Sequence, residues 1–135
     1  MEFKIDFITY EGIYKSIMSE KINVPTSEGR RTILSNHMPI LMPLEIGVVE
    51  TQEGKELKHY AVNNGVLYFR DNVCEIVADS VVDVNDIDVE RAQREKEAAI
   101  ANLKKTKREY EKFMDNNKLE VANNMLNAAE KYLNK

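Results

Sequence analysis

Past Gly65 the 135-residue sequence contains no glycine and no proline. The five glycines (Gly12, Gly29, Gly47, Gly54, Gly65) and three prolines (Pro25, Pro39, Pro43) all lie in the first half. These residues punctuate turns and interrupt helices. The first part is therefore turn-rich, and the remainder is free to be helical. The single cysteine, Cys74, excludes an intrachain disulfide and fits a reducing compartment. It sits between Val73 and Glu75 in an apolar alternation, so it reads as a small core residue rather than a nucleophile. Long apolar runs are missing. The longest, Met38–Leu44, is broken by Pro39 and Pro43 and falls short of the roughly 20 residues that a bilayer span needs. Lys4 and Asp6 interrupt the N-terminus, so a signal-peptide core is not expected. Membrane association is expected only through a partner.

Chemistry-bearing patterns are equally sparse. His37 and His59 are the only histidines, and neither has a metal-ligand partner at a recognisable spacing. No Gly-x-Ser-x-Gly elbow, phosphate-cradling loop or Gly-x-Gly-x-x-Gly fingerprint occurs. Ser35 stands near His37, but a nucleophile also needs a positioned base and an orienting acid. Catalysis and a cofactor are therefore not expected. The net charge of −4 argues against nucleic-acid binding, which needs a basic surface. Charge is unevenly shared: residues 1–84 carry 8 Lys/Arg and 13 Asp/Glu, and residues 85–135 carry 11 and 10. Lys104–Arg108 is the one basic cluster, and it reads as a solvated helix face or turn.

What is present in the first part is a series of short strands. Phe3, Ile5 and Phe7 alternate with Lys4 and Asp6. Tyr10-Glu11-Gly12 turns the chain, and Ile22 and Val24 flank Asn23 ahead of Pro25. Val48-Val49, Leu57–Val62, Val66–Phe69 and Val73–Ala78 follow, separated by Glu53-Gly54, Asn63-Asn64-Gly65 and Arg70-Asp71-Asn72. Turns at this spacing indicate a sandwich or flattened barrel, and a parallel α/β sheet is not expected. Val81–Asn85 reads as a linker. Beyond it, Asp86 or Asp88 can cap a helix carrying Ala92, Ala99 and Leu103 on one face. Asp115-Asn116-Asn117 is the expected break, with Lys104–Lys107 as the alternative. A second stripe then holds Ala122, Met125, Ala129 and Leu133. The expected architecture is an all-β sandwich over residues 1–84 followed by an antiparallel two-helix hairpin over 85–135. The alanine stripe is thin, buries little area and leaves the hairpin weakly held.

Several segments, in order along almost the whole chain, carry a resemblance. Ser27-Glu28-Gly29 and Ile33-Leu34-Ser35-Asn36-His37-Met38-Pro39-Ile40-Leu41 are similar to the loop-and-strand signature of the epsilon subunit of F-type ATP synthase. Gly47-Val48-Val49, Asn64-Gly65-Val66-Leu67 and Val77-Ala78-Asp79-Ser80 resemble later segments of that family. Asp86-Ile87-Asp88-Val89-Glu90-Arg91-Ala92 resembles the opening of its first C-terminal helix. One departure is Gly29-Arg30-Arg31-Thr32, where two arginines replace an acidic and an apolar residue.

The resemblance implies a non-catalytic rotor subunit at the cytoplasmic face of the cell membrane. It would be bound to the gamma subunit and the ring of c subunits in a proton- or sodium-translocating complex. The loop Ser27, Glu28, Gly29, Arg30 and Arg31 would face the c-ring, which would answer with acidic or polar loops. His37, Met38 and Met42 are the candidate gamma contact, although Met38–Leu44 reads equally well as core strand. The hairpin would reach the alpha and beta catalytic subunits and inhibit ATP hydrolysis. An alternative is an ATP-sensing module in which Ile87, Asp88, Arg91 and Ala92 hold nucleotide. Against it, Asp88 can simply cap the helix and Arg91 can pair with a carboxylate. The positions where the family places further arginines fall at Ala98 and near Ala128 and Tyr132. A stand-alone sandwich enzyme is the third reading.

Overall fold

The computed structural model describes residues 1–105 and 108–133. The chain divides into two compact units, Met1–Asp83 and Val84–Lys135.

The first unit is a β-sandwich of eight strands: β1 (Phe3–Thr9), β2 (Gly12–Ser19), β3 (Lys21–Thr26), β4 (Gly29–Leu34), β5 (Ile40–Leu44), β6 (Gly47–Glu53), β7 (Glu56–Arg70) and β8 (Val73–Asp83). Their order is β2-β1-β8-β7-β6-β3-β4, with β5 also on β7. The described pairings are antiparallel except β1 with β8, where the first and last strands run side by side. A parallel pair needs a long connection, and here the six intervening strands supply it. Two-residue loops close most hairpins. Asp71 and Asn72 both take positive φ between Arg70 and its partner Val73, the conformation that matches strand twist in a tight hairpin.

Strand β7 departs from the expected pattern. Asn63-Asn64-Gly65 is not a turn. The register with β8 is the same on either side of Asn64, from Asn63 opposite Ser80 to Gly65 opposite Ala78. What changes there is the other neighbour. The first half of β7 pairs with β6, ending at Val62 opposite Gly47. The second half pairs with β5, starting at Gly65 opposite Leu44. The segment is the corner where one strand passes between layers, a place that also selects glycine. A Cβ on Gly65 would stand 2.7 Å from the Val77 carbonyl oxygen.

The core lies between the layers. Phe3 meets Phe69 edge-on at 5.4 Å, and Phe7 stacks against Tyr60 at 4.6 Å. Ile5, Ile22, Val24, Val49, Leu67, Cys74 and Ile76 fill the space around them. Burial pushes the Cys74 thiol up to about 12. It pushes the Tyr60 hydroxyl up as well, reinforced by its bond to Glu53. β8 also outruns its expected end at Ala78. Val81 belongs to the core, so the stretch read as a linker is strand as far as Asp83.

The second unit opens with a single 3-10 turn, Val84–Asp86. Helix α1 (Val89–Lys105) packs against α2 (Glu109–Ala128), and a π turn, Ala129–Leu133, ends the described chain. Ala92, Ala99, Ala122, Ala128 and Ala129 are buried. The expected break at Asp115-Asn116-Asn117 is wrong, because those residues lie inside α2 and Asp115 is buried. Asp and Asn cost only a fraction of a kcal/mol in a helix, so their preference for turns yields to packing. The helices part instead between Lys105 and Glu109. Within the alternative break Lys104–Lys107, Lys104 and Lys105 close α1, and residues 106 and 107 lie outside the described residues. Arg108 starts α2 with no side-chain capping bond.

Candidate interaction surface

The cross-strand registers put one apolar row on the outer face of the sandwich. Pro43 of β5 lies opposite Val66 of β7, Val66 opposite Val77 of β8, Val77 opposite Ile8 of β1, and Ile8 opposite Ile13 of β2. Five strands thus contribute five apolar side chains to one line. Val66, Val77 and Ile13 are 40, 50 and 65% exposed, and Pro43 is exposed too. Side chains directly opposite one another share a face, so the line is one continuous surface. The next row begins with Leu41 opposite Tyr68, both exposed, and turns polar at Glu75, Asp6 and Ser16. Ser16 donates to Asp6 at 2.6 Å, and Lys4 stands 3.6 Å from the same carboxylate. A hollow of about 540 Å³ opens beside the row, walled by Tyr10, Leu44, Val66, Val77 and Asp79. An apolar stripe with a hydrogen-bonded polar margin has the anatomy of a protein contact.

The candidates for the gamma contact separate. Met42 is 7% exposed and points into the core, because strand alternation sends Met42 and Leu44 inward and Leu41 and Pro43 outward. Met42 is therefore corrected to a core residue, and Leu41 takes its place on the surface. His37 is half-buried, edge-on to Phe69 at 6.0 Å, with Nδ1 2.7 Å from the Met38 carbonyl oxygen. Met38 is exposed.

The candidates for the c-ring contact stay together. Ser27 and Glu28 form the two-residue loop between Thr26 and its partner Gly29, whose φ is +107°. Thr26 Oγ1 donates to the Gly29 carbonyl at 2.6 Å and accepts from the Glu28 amide at 3.3 Å. Arg30 donates to the Asn23 side chain and carbonyl at 2.5 and 3.3 Å, which lays it along β3. Arg31 is exposed, and its side chain makes no hydrogen bond or ion pair among the described residues.

The candidate nucleotide residues do not converge. Ile87 and Ala92 are buried. The Asp88 carboxylate accepts from the Arg91 amide at 3.1 Å, the geometry of a helix N-cap. Arg91 Nε lies 2.9 Å from Glu95 one turn on. A hollow of about 540 Å³ between the helices has Lys96 and Glu130 as its charged lining among the described residues. Lys105, Arg108 and Lys118 line a second hollow in company with Glu111 and Asp115. Among the described residues, no group of three His, Cys, Asp or Glu side chains could hold a metal ion. No helix among them is long and apolar enough to cross a membrane.

Comparison with known proteins gives one family. Residues 2–84 match the model of the ATP synthase delta/epsilon chain β-sandwich domain. The chain is 35% identical over 113 residues to the ATP synthase epsilon chain of Lactobacillus delbrueckii subsp. bulgaricus, covering 81% of this chain and 77% of the relative. Among solved structures it is similar to a chain in the mitochondrial ATP synthase of Euglena gracilis, with a TM-score of 0.78 and 21% identity over 94% of this chain and 81% of the other. A chain in the central stalk and c-ring structure of the Tetrahymena thermophila enzyme gives a TM-score of 0.68 and 18% identity, over 96% of this chain and 97% of the other. These two likenesses speak to the fold.

Proposed function

The chain belongs to the ATP synthase epsilon chain family, a non-catalytic subunit of the F-type enzyme, and we propose that its outer sheet face docks on the gamma subunit of the rotor stalk. The observation that carries this reading is the apolar row Pro43–Val66–Val77–Ile8–Ile13. A rotor contact must transmit torque without slipping. A rigid sheet suits that task, because β7 and β8 are braced from behind by Leu67, Phe69 and Ile76. Burying the row at about 25 cal/mol per Å² supplies affinity, and the Asp6–Ser16–Glu75 margin supplies register.

The tip Ser27–Arg31 is the proposed contact with the c-ring. With Arg30 laid along β3 and Arg31 exposed, the tip presents positive charge, and the facing c-ring loops carry acidic or polar groups. The helical hairpin is the proposed regulator of ATP hydrolysis, acting by moving between positions. Its seam of alanines buries little area, which keeps alternative positions within a few kcal/mol. The ATP-sensing reading is less well supported, because Asp88 and Arg91 are engaged within α1.

Cysteine substitution tests the docking face. Val66→Cys and Val77→Cys, each carrying a bulky thiol label, should block assembly with gamma. Labelled Lys55→Cys, on the exposed β6–β7 turn, should not. Equal assembly of all three labelled proteins would refute the proposed face.

A further inference from the structure

The ladder between β1 and β2 slips by one residue. Phe7 pairs with Lys15, but Ile8 pairs with Ile13, so Tyr14 is left over as a β-bulge. In a regular strand, neighbouring side chains leave opposite faces. The bulge breaks that alternation, and Tyr14 and Lys15 reach the same residue. Tyr14 Oη accepts a hydrogen bond from the Asp83 amide at 3.1 Å, and Lys15 Nζ stands 3.4 Å from Asp83 Oδ2. Lys15 also lies 5.2 Å from the centroid of the Tyr60 ring, and Tyr60 is the ladder partner of Asp83. Tyr60 in turn donates to Glu53 at 2.8 Å.

The residue held in this way has a special place. Asp83 is 8% exposed, ends β8 and closes the first compact unit. The next residue, Val84, begins the 3-10 turn that leads to the helices. Strand ends ordinarily fray, and each residue released from β8 would add about 3.3 Å of slack to the segment before α1. Two side chains from β2 oppose that release.

We propose that the Tyr14 bulge is a clamp that fixes the strand end from which the C-terminal helices depart. A clamped end starts every position of the hairpin from the same point, so its range is set by residues 84–88 alone. The clamp follows from the sandwich itself. Its effect on ATP hydrolysis rests on the regulatory reading proposed above.

Hydrogen exchange on the full chain tests it. Tyr14→Phe removes the acceptor and Lys15→Met the charge, while Lys15→Arg keeps the charge. Amides of residues 81–84 should exchange about tenfold faster in Tyr14→Phe and Lys15→Met, the factor expected for one lost hydrogen bond, and at the native rate in Lys15→Arg. Amides 74–77, in the β1–β8 ladder, should stay unchanged. No change at 81–84 would overturn the clamp. So would an equal rise at 74–77, because the whole sandwich would then have loosened. In the reassembled enzyme, Tyr14→Phe and Lys15→Met should shift ATP hydrolysis and Lys15→Arg should not. Faster exchange at 81–84 without a shift in hydrolysis would support the clamp and overturn its link to regulation.

Discussion

Val66 and Val77 face each other across β7 and β8 on the outer surface of the sandwich, and each leaves about half its side chain exposed. They sit back to back with a packed interior, since Leu67 and Ile76, the next pair along, are fully buried. The same two strands therefore build the core on one side and the proposed docking surface on the other. Such a surface keeps its shape only if the strands behind it are rigid.

Gly65 is where that rigidity is most exposed to change. Its missing Cβ makes room for the Val77 carbonyl oxygen at the corner between layers. Gly65→Ala should destabilise the protein by about 1–3 kcal/mol, as overpacking against backbone does. Urea unfolding would show this as a lower midpoint with an unchanged slope. An unchanged midpoint would mean that the corner relaxes without cost.

Truncation after Val84 leaves β8 and the core cluster whole. The shortened chain should unfold in one cooperative transition and still assemble with gamma. It should also relieve inhibition of ATP hydrolysis by the assembled enzyme. Loss of folding would overturn the view of residues 1–84 as a domain. Unchanged hydrolysis under several nucleotide conditions would overturn the inhibitory role proposed for the hairpin.

Cys74 is buried, and its thiol is pushed from 9.0 up to about 12 by loss of solvation. At pH 8 the native protein should react with a thiol reagent far more slowly than the unfolded chain does. The sign for stability follows from the raised value. The neutral thiol favours the fold, its contribution is complete below about pH 9, and it is lost as the pH climbs toward 12. Rapid native labelling at pH 8 would show that this part of the sandwich opens readily.

ATP should bind weakly or not at all. Arg91 is paired with Glu95, and Lys96 and Glu130 are the charged groups described around the hollow between the helices. Losing two or three charge-assisted hydrogen bonds weakens phosphate binding by about a hundredfold or more. Calorimetric titration should therefore show no tight binding, and Arg91→Ala should change little. A low-micromolar dissociation constant abolished by Arg91→Ala would contradict this.

The sequence was most legible where the signal is local. The alternation of Phe3, Ile5 and Phe7 and the turn at Asp71-Asn72 give strand and hairpin directly, since both depend on neighbours along the chain. Asn63-Asn64-Gly65 misled because glycine serves a tight corner as well as a turn. Asp115 and Asn116 carry turn propensity without a turn and so outweigh the alternative break at Lys104–Lys107, beside which Arg108 carries no capping bond. The apolar row on the outer face was illegible for another reason. Ile8, Ile13, Val66 and Val77 become neighbours only through register, which no local pattern states. Met42 and Leu41 show the limit at the scale of one residue, since naming the segment does not say which side faces out.

The most direct test of the account is the affinity of the full chain for the gamma subunit when Val77 is changed to glutamate. Val77 lies at the middle of the row and is half exposed, so Val77→Glu can keep its carboxylate in water and leave the free protein folded. On docking, that carboxylate would be buried without a partner, at a cost of several kcal/mol. The thermal unfolding midpoint should be unchanged, and gamma binding should be weakened at least a hundredfold. Native affinity in a folded Val77→Glu variant would contradict it.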